Sequence, residues 1–199
     1  MIIAIEGSRH VGKTFLLEEF FKRNQNPNIL YYKFQFANHI EELGIRDQET
    51  GPGVHYFSIS NILTILELNR TVFKDKLLVF DRSLLTAYVW SIYRERMNKD
   101  RLIREYGKIL NSDLYRDYSI LYLTRSGSTE LKARDKNDYF GNFEDYSAES
   151  AIFEEIMSLY RNELSYRHKN NTLYSLHNQF TPESVDNFEL ILNEVASKI

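Results

Sequence analysis

Met1-Ile2-Ile3-Ala4-Ile5-Glu6-Gly7-Ser8-Arg9-His10-Val11-Gly12-Lys13-Thr14 opens the chain and decides its fold. Met1 to Ile5 is a short apolar run rich in isoleucine, as expected of a buried parallel strand. Gly7 to Thr14 matches G-x-x-x-x-G-K-[ST] at every fixed position. The glycines let the backbone curl so that successive N–H groups face phosphate oxygens, and the helix that follows adds its partly positive end. Lys13 is expected to reach the β and γ phosphates of a nucleoside triphosphate, and Thr14 to offer its hydroxyl to magnesium. Four constrained positions coincide by chance in roughly one chain of this size in a hundred. A chance match seldom also falls between a strand and a helix.

Beyond the loop, apolar Leu16, Leu17, Phe20 and Phe21 recur at helical spacing over Lys13 to Asn24, and Pro27 marks a stop. Strands are expected at about Ile29 to Phe36, Leu77 to Phe80, Ser119 to Leu123 and Thr172 to Leu176. Gly51-Pro52-Gly53 is expected to turn, and the apolar spacing from Phe57 to Phe73 predicts a long helix. Further helices are expected at Leu84 to Tyr93, Leu102 to Leu110 and Glu149 to Leu164. Pro182, after Thr181, opens the last one. Strands alternating with helices predict an α/β P-loop NTPase fold: a five-stranded parallel sheet with helices on both faces. All 199 residues are expected to form one kinase-type domain, with a lid over residues 125–145.

Bulk properties are permissive. The net charge of −3 and the lack of a concentrated basic run argue against a nucleic-acid partner. The absence of cysteine excludes disulfides and thiolate metal sites. No apolar run approaches the roughly 20 residues that span a bilayer. Met1 leads straight into a strand rather than a signal peptide, so the cytoplasm is the expected location.

In open α/β sheets, ligands bind beyond the carboxyl ends of the strands. Asp81 stands there, after Leu77 to Phe80. It is expected to hold magnesium through water, with Arg82 beside it binding a second substrate's phosphate. The alternative is a carboxylate capping the next helix with Arg82 as its surface partner.

These residues resemble the thymidylate kinases, with the deoxynucleoside kinases as near relatives. Ile5-Glu6-Gly7 and the loop are similar to the start of both groups. Asp81-Arg82-Ser83 lies between the Asp-Arg-Tyr of one and the Glu-Arg-Ser of the other. The resemblance implies a base contact for Arg70, in Asn69-Arg70, with Leu66 where many relatives carry a stacking phenylalanine. It also implies a lid over Leu131 to Phe143, with Arg134 or else Arg125 closing onto the transferring phosphate, and a homodimer. Arg9 and His10 replace the acid usual in the loop, and Phe34 to Asn38 lack the family's residues at the end of the second strand.

Cofactors implied are ATP and magnesium, and the partner is a small nucleotide. A nucleoside acceptor needs a base for its 5′ hydroxyl, whereas a nucleotide acceptor needs positive charge. Arg9, Arg70, Arg82, Arg125 and Arg134 favour the second, with dTMP the first candidate. A deoxynucleoside kinase, and a P-loop NTPase or nucleotide-binding protein without a small-molecule acceptor, remain the alternatives. The mixed charges from Arg125 to Asp145 also suit a plain solvated loop.

Overall fold

The computed structural model describes residues 1–33, 51–93, 97–125, 143–161 and 172–199. In chain order the elements are β1 (Ile2–Glu6), α1 (Lys13–Arg23), β2 (Ile29–Lys33), α2 (Gly51–Thr71), β3 (Leu77–Asp81) and α3 (Leu84–Tyr93). They continue with α4 (Lys99–Leu110), a 3-10 turn (Asp113–Tyr115), β4 (Tyr118–Thr124), α5 (Phe143–Leu159), β5 (Leu173–His177) and α6 (Pro182–Ala196). All five strands are parallel, in the order β2-β3-β1-β4-β5. Ile5 is paired with Asp81 and Glu6 with Tyr122, so β1, β3 and β4 end together beside the glycine loop.

Strand residues alternate between two cores, because successive side chains point to opposite faces. Ile3, Ile5, Val79, Leu121 and Leu123 pack with Leu16, Leu17 and Phe20 of α1 and with Val185, Phe188 and Leu192 of α6. Ala4, Phe80, Ile120 and Tyr122 pack on the other side with Ile62, Leu66, Tyr88, Tyr106 and Phe153, from α2 to α5. The sheet is thus covered on both faces, as its near-continuous apolar strands require.

Local chemistry sets the boundaries. Asn98 caps α4 by accepting the Arg101 N–H at 3.0 Å, which explains why the helix restarts after the charged stretch. Thr181 caps α6 in the same way toward Ser184, ahead of Pro182. Gly51-Pro52-Gly53, expected as a turn, forms the first turn of α2 instead. Proline is tolerated there because first-turn N–H groups have no intrahelical partner to lose. α2 ends at Thr71, short of Phe73, and α5 begins at Phe143, before the expected Glu149. Phe34 to Phe36, expected in β2, lie outside the described residues.

Candidate active site

The loop from Gly7 to Gly12 joins β1 to α1 at the carboxyl end of the sheet. Its path needs glycine at two places. Gly7 has φ +140° and passes so close to β4 that a Cβ would sit 2.5 Å from the Leu123 carbonyl oxygen. Gly12 has φ +87° and immediately precedes α1. A Cβ there would lie on Asn178 Nδ2 and 2.7 Å from Phe180 Cζ. His10 is held at φ +63°, a strained position for a residue with a side chain.

Lys13 is buried and donates its ammonium to the carbonyls of Gly7 at 2.7 Å and Ser8 at 2.6 Å. Its pKa is pushed down to about 7, first by burial and then by the neighbouring Arg82 charge; Asp81, Glu149 and Glu6 pull it back up. Thr14 follows in the first turn of α1 with its side chain exposed.

Asp81 is buried at the end of β3. Its Oδ2 accepts the Tyr31 hydroxyl from the edge strand β2 at 3.2 Å. Its Oδ1 is buried without a hydrogen-bond partner among the described residues. Such an orphaned oxygen calls for a water, a proton donor or a metal-bound water. The carboxylate chemistry of Asp81 fits a magnesium ion held through water. Arg82 takes φ +71°, and its N–H reaches back to the Ile5 carbonyl at 3.2 Å. This sharp turn sets Asp81-Arg82 against the loop.

Ser83 is buried, donates to Glu6 at 2.6 Å, and shares a short hydrogen bond with the Tyr118 hydroxyl. Thr86 donates to the other Glu6 oxygen at 2.5 Å. Burial raises the Glu6 pKa, while these hydroxyls and the charges of Lys13 and Arg82 draw it down. The small side chain of Ser83 therefore serves a polar core contact under the turn.

Arg9 packs against α3 and α5. Its backbone N–H and Nε reach the two oxygens of buried Glu149 at 3.1 and 2.7 Å, and its guanidinium lies 5.1 Å from the Trp90 ring centre. On the other flank, Arg125 reaches the His10 carbonyl at 3.4 Å and stacks on Phe180 at 4.5 Å. Asn178 donates to the Val11 carbonyl at 2.8 Å. Four segments thus surround the loop.

The structure brings together Gly7, Ser8, Arg9, His10, Val11, Gly12, Lys13, Thr14, Asp81 and Arg82. It does not bring Arg70 or Leu66 to them. The helix α2 ends at Thr71, six residues before β3 begins, and Lys76 is bonded to Met1 at the amino end of β1. Arg70 is exposed there, 3.8 Å from Glu67, and Leu66 is wholly buried in the core. At the other end of α2, His55 is buried between Ser91 at 2.8 Å and Glu105 at 3.5 Å. Arg134 and residues 126–142 of the expected lid lie outside the described residues. Sequence reasoning missed Tyr31, Glu149 and Asn178, each joined to the site only through tertiary contact.

A parallel sheet in the order β2-β3-β1-β4-β5 with a glycine loop between its first strand and first helix is an α/β fold of the P-loop type. No protein-family model matches the chain, and no curated protein is similar to it in sequence. Solved structures are similar in fold. A deoxyadenosine kinase from M. mycoides, bound to dCMP and dCDP, superposes at a TM-score of 0.63 and 15% identity. That match covers 99% of this chain and 100% of the kinase. A thymidylate kinase from Candida albicans matches at 0.64 and 15% identity, over 98% of this chain and 92% of that one. NadR bound to NR matches at 0.64 and 15% identity over 98% of this chain, which spans 51% of NadR's length. Among the described residues, no helix is long and apolar enough to cross a membrane.

Proposed function

We propose that this chain transfers the γ-phosphoryl group of ATP, with magnesium, to a deoxynucleoside monophosphate, and that dTMP is the first acceptor to try. The observation that carries this is the convergence of Lys13, Arg82 and the unpartnered Asp81 Oδ1 beside a phosphate loop. Two cations close enough for Arg82 to depress Lys13 are stabilised by an anion placed between them.

Loop N–H groups and Lys13 would grip the β and γ phosphates. Phosphate oxygens raise the proton affinity of Lys13, so the bound state holds it charged where negative charge develops. Asp81 and Thr14 would hold magnesium, which supplies charge neutralisation on the phosphate oxygens. Arg82 would bind the acceptor phosphate. An ionised phosphate attacks without a base, which leaves Asp81 free for the metal. Arg134 would close onto the transferring phosphate, within a single kinase domain.

A deoxynucleoside kinase is the second reading, favoured by one observation. Asp81 Oδ1, without a partner among the described residues, is also suited to take a proton from a 5′ hydroxyl. The kinases similar in fold include both types. Purified protein with ATP and magnesium would be offered dTMP, the other deoxynucleotides, thymidine, deoxyadenosine and a 5′-hydroxyl oligonucleotide, with ADP release measured. Release with a nucleoside but no nucleotide would sink the phosphate-acceptor reading. Release independent of any acceptor would favour a plain NTPase. Lys13→Ala should abolish turnover in every case.

A further inference from the structure

Glu149 is wholly buried, and both of its oxygens serve one residue of the phosphate loop. Oε1 accepts the Arg9 backbone N–H at 3.1 Å, and Oε2 accepts Arg9 Nε at 2.7 Å. These partners are 140 positions apart in sequence. The Arg9 guanidinium also lies over Trp90 at 5.1 Å and near Tyr93 at 6.0 Å. One side chain therefore ties the loop to the last turns of α3 and to α5.

The fork has a geometric consequence. The Arg9 N–H points at Glu149, so that amide is turned toward α5, and the next residue is the strained His10 at φ +63°. A buried ion pair adds little net stability compared with apolar residues of the same shape. What it fixes well is direction, because two hydrogen bonds to one carboxylate set both the position and the rotation of a peptide. Glu149 is also close enough to raise the proton affinity of Lys13. With both oxygens engaged and no exposed surface, it is poorly placed to contact a substrate itself.

We propose that Glu149 is a positioning residue for the triphosphate site: through its fork on Arg9 it presets the phosphate loop and thereby sets donor affinity. This rests on the triphosphate-binding reading of the loop. In Glu149→Gln one amide N–H₂ must face an Arg9 donor, so one arm of the fork is lost without a change of shape. The full chain is titrated with a fluorescent ATP analogue and magnesium, as wild type, Glu149→Gln, Arg9→Ala and the double variant, with a thermal melt of each.

Expected is affinity about tenfold weaker in each single variant and a loss in the double well short of the product of the two, because both break the Arg9 Nε–Glu149 arm while the backbone N–H of residue 9 keeps its acceptor. Turnover of Glu149→Gln at saturating ATP, with whichever acceptor proves active, should stay within about twofold of wild type, a KM effect without a kcat effect. Unchanged ATP affinity in Glu149→Gln, additive losses, or a weakened acceptor KM with normal ATP binding would each overturn the proposal. If Glu149→Gln does not fold, Arg9→Lys decides. It keeps the charge and the backbone N–H but lacks the Nε arm, and it should bind ATP about threefold more weakly. Affinity equal to wild type would overturn the proposal. Wild-type protein that binds no ATP would refute the triphosphate reading first, which is a separate result from wild-type binding with an indifferent variant.

Discussion

Replacing Gly12 with alanine tests the geometry of the loop directly. The backbone at φ +87° lies in the left-handed region, where a Cβ costs about 1–2 kcal/mol. The new methyl would also land on Asn178 Nδ2 and within 2.7 Å of Phe180 Cζ. Asn178 is buried and donates to the Val11 carbonyl at 2.8 Å, so displacing it leaves that carbonyl unsatisfied at about 1–3 kcal/mol. Together these destabilise the fold by about 2–5 kcal/mol. For a chain of this size the melting temperature should fall by roughly 5–15 °C. Gly107, inside α4, is the control: nothing lies within 4 Å of a Cβ there and its φ is ordinary. Gly107→Ala should therefore stabilise by up to about 1 kcal/mol. Differential scanning calorimetry of both variants reads the contrast. If Gly12→Ala melts within about 2 °C of wild type, the packing of Asn178 and Phe180 on the loop is refuted.

Four further outcomes are expected. Lys13, depressed to about 7, is largely neutral at pH 8, and phosphate binding should recharge it. Calorimetry in buffers of different ionisation heat should then show proton uptake on ATP binding at pH 8, little at pH 6, and none attributable to this group in Lys13→Met. In the protein without nucleotide, the folded state binds fewer protons here than the unfolded state between about pH 7 and the ordinary lysine range. This residue's contribution to stability should therefore rise with pH across that window, and Lys13→Met should flatten the trend. Tyr31→Phe removes the donor to Asp81 Oδ2 and should lower stability by about 1–2 kcal/mol, whereas a melt matching wild type would mean that the phenol is not the carboxylate's partner. Ser83→Tyr, which installs the thymidylate kinase residue, has no room beside Glu6 and Tyr118 and should destabilise by about 3 kcal/mol or more; a normal melt would contradict that packing.

Local patterns carried most of the fold. The isoleucine run, the G-x-x-x-x-G-K-T motif and the apolar stretch ending in Asp81 each sit in the expected element. What sequence spacing misplaced has a physical reason. Arg70 precedes Asp81 by about a dozen residues, which looks close along the chain. A helix that feeds a strand of a parallel sheet runs against that strand, so its last turn lies at the strand's amino end. Asp81 is at the other end, about 16 Å along five strand residues. The first turns of α2, near His55, Ser91 and Glu105, lie toward the carboxyl end of the sheet instead. Gly51-Pro52-Gly53 misled for a related reason: turn-forming residues are also good openers of helices.

The supports of the loop were illegible because none lies near it in sequence. Glu149 acts from α5, Asn178 and Phe180 from the segment after β5, and Arg125 from the end of β4. A carboxylate or an asparagine in such places looks like any capped or solvated residue until the partner is known. The positive-φ residues around the site show the same division of labour. Gly7 and Gly12 adopt that conformation cheaply, whereas His10, Arg82 and Phe180 carry side chains there at a cost of about 1–2 kcal/mol each. Strain of that kind persists only where surrounding contacts over-determine it. At His10 the loop is held on one side by the Arg9–Glu149 fork and on the other by the Arg125 bond to its carbonyl. The phosphate loop is therefore a motif written in eight residues but held in place by three later segments. Remote substitutions at Glu149 or Asn178 should consequently weaken nucleotide binding in the same way as substitutions within the loop itself.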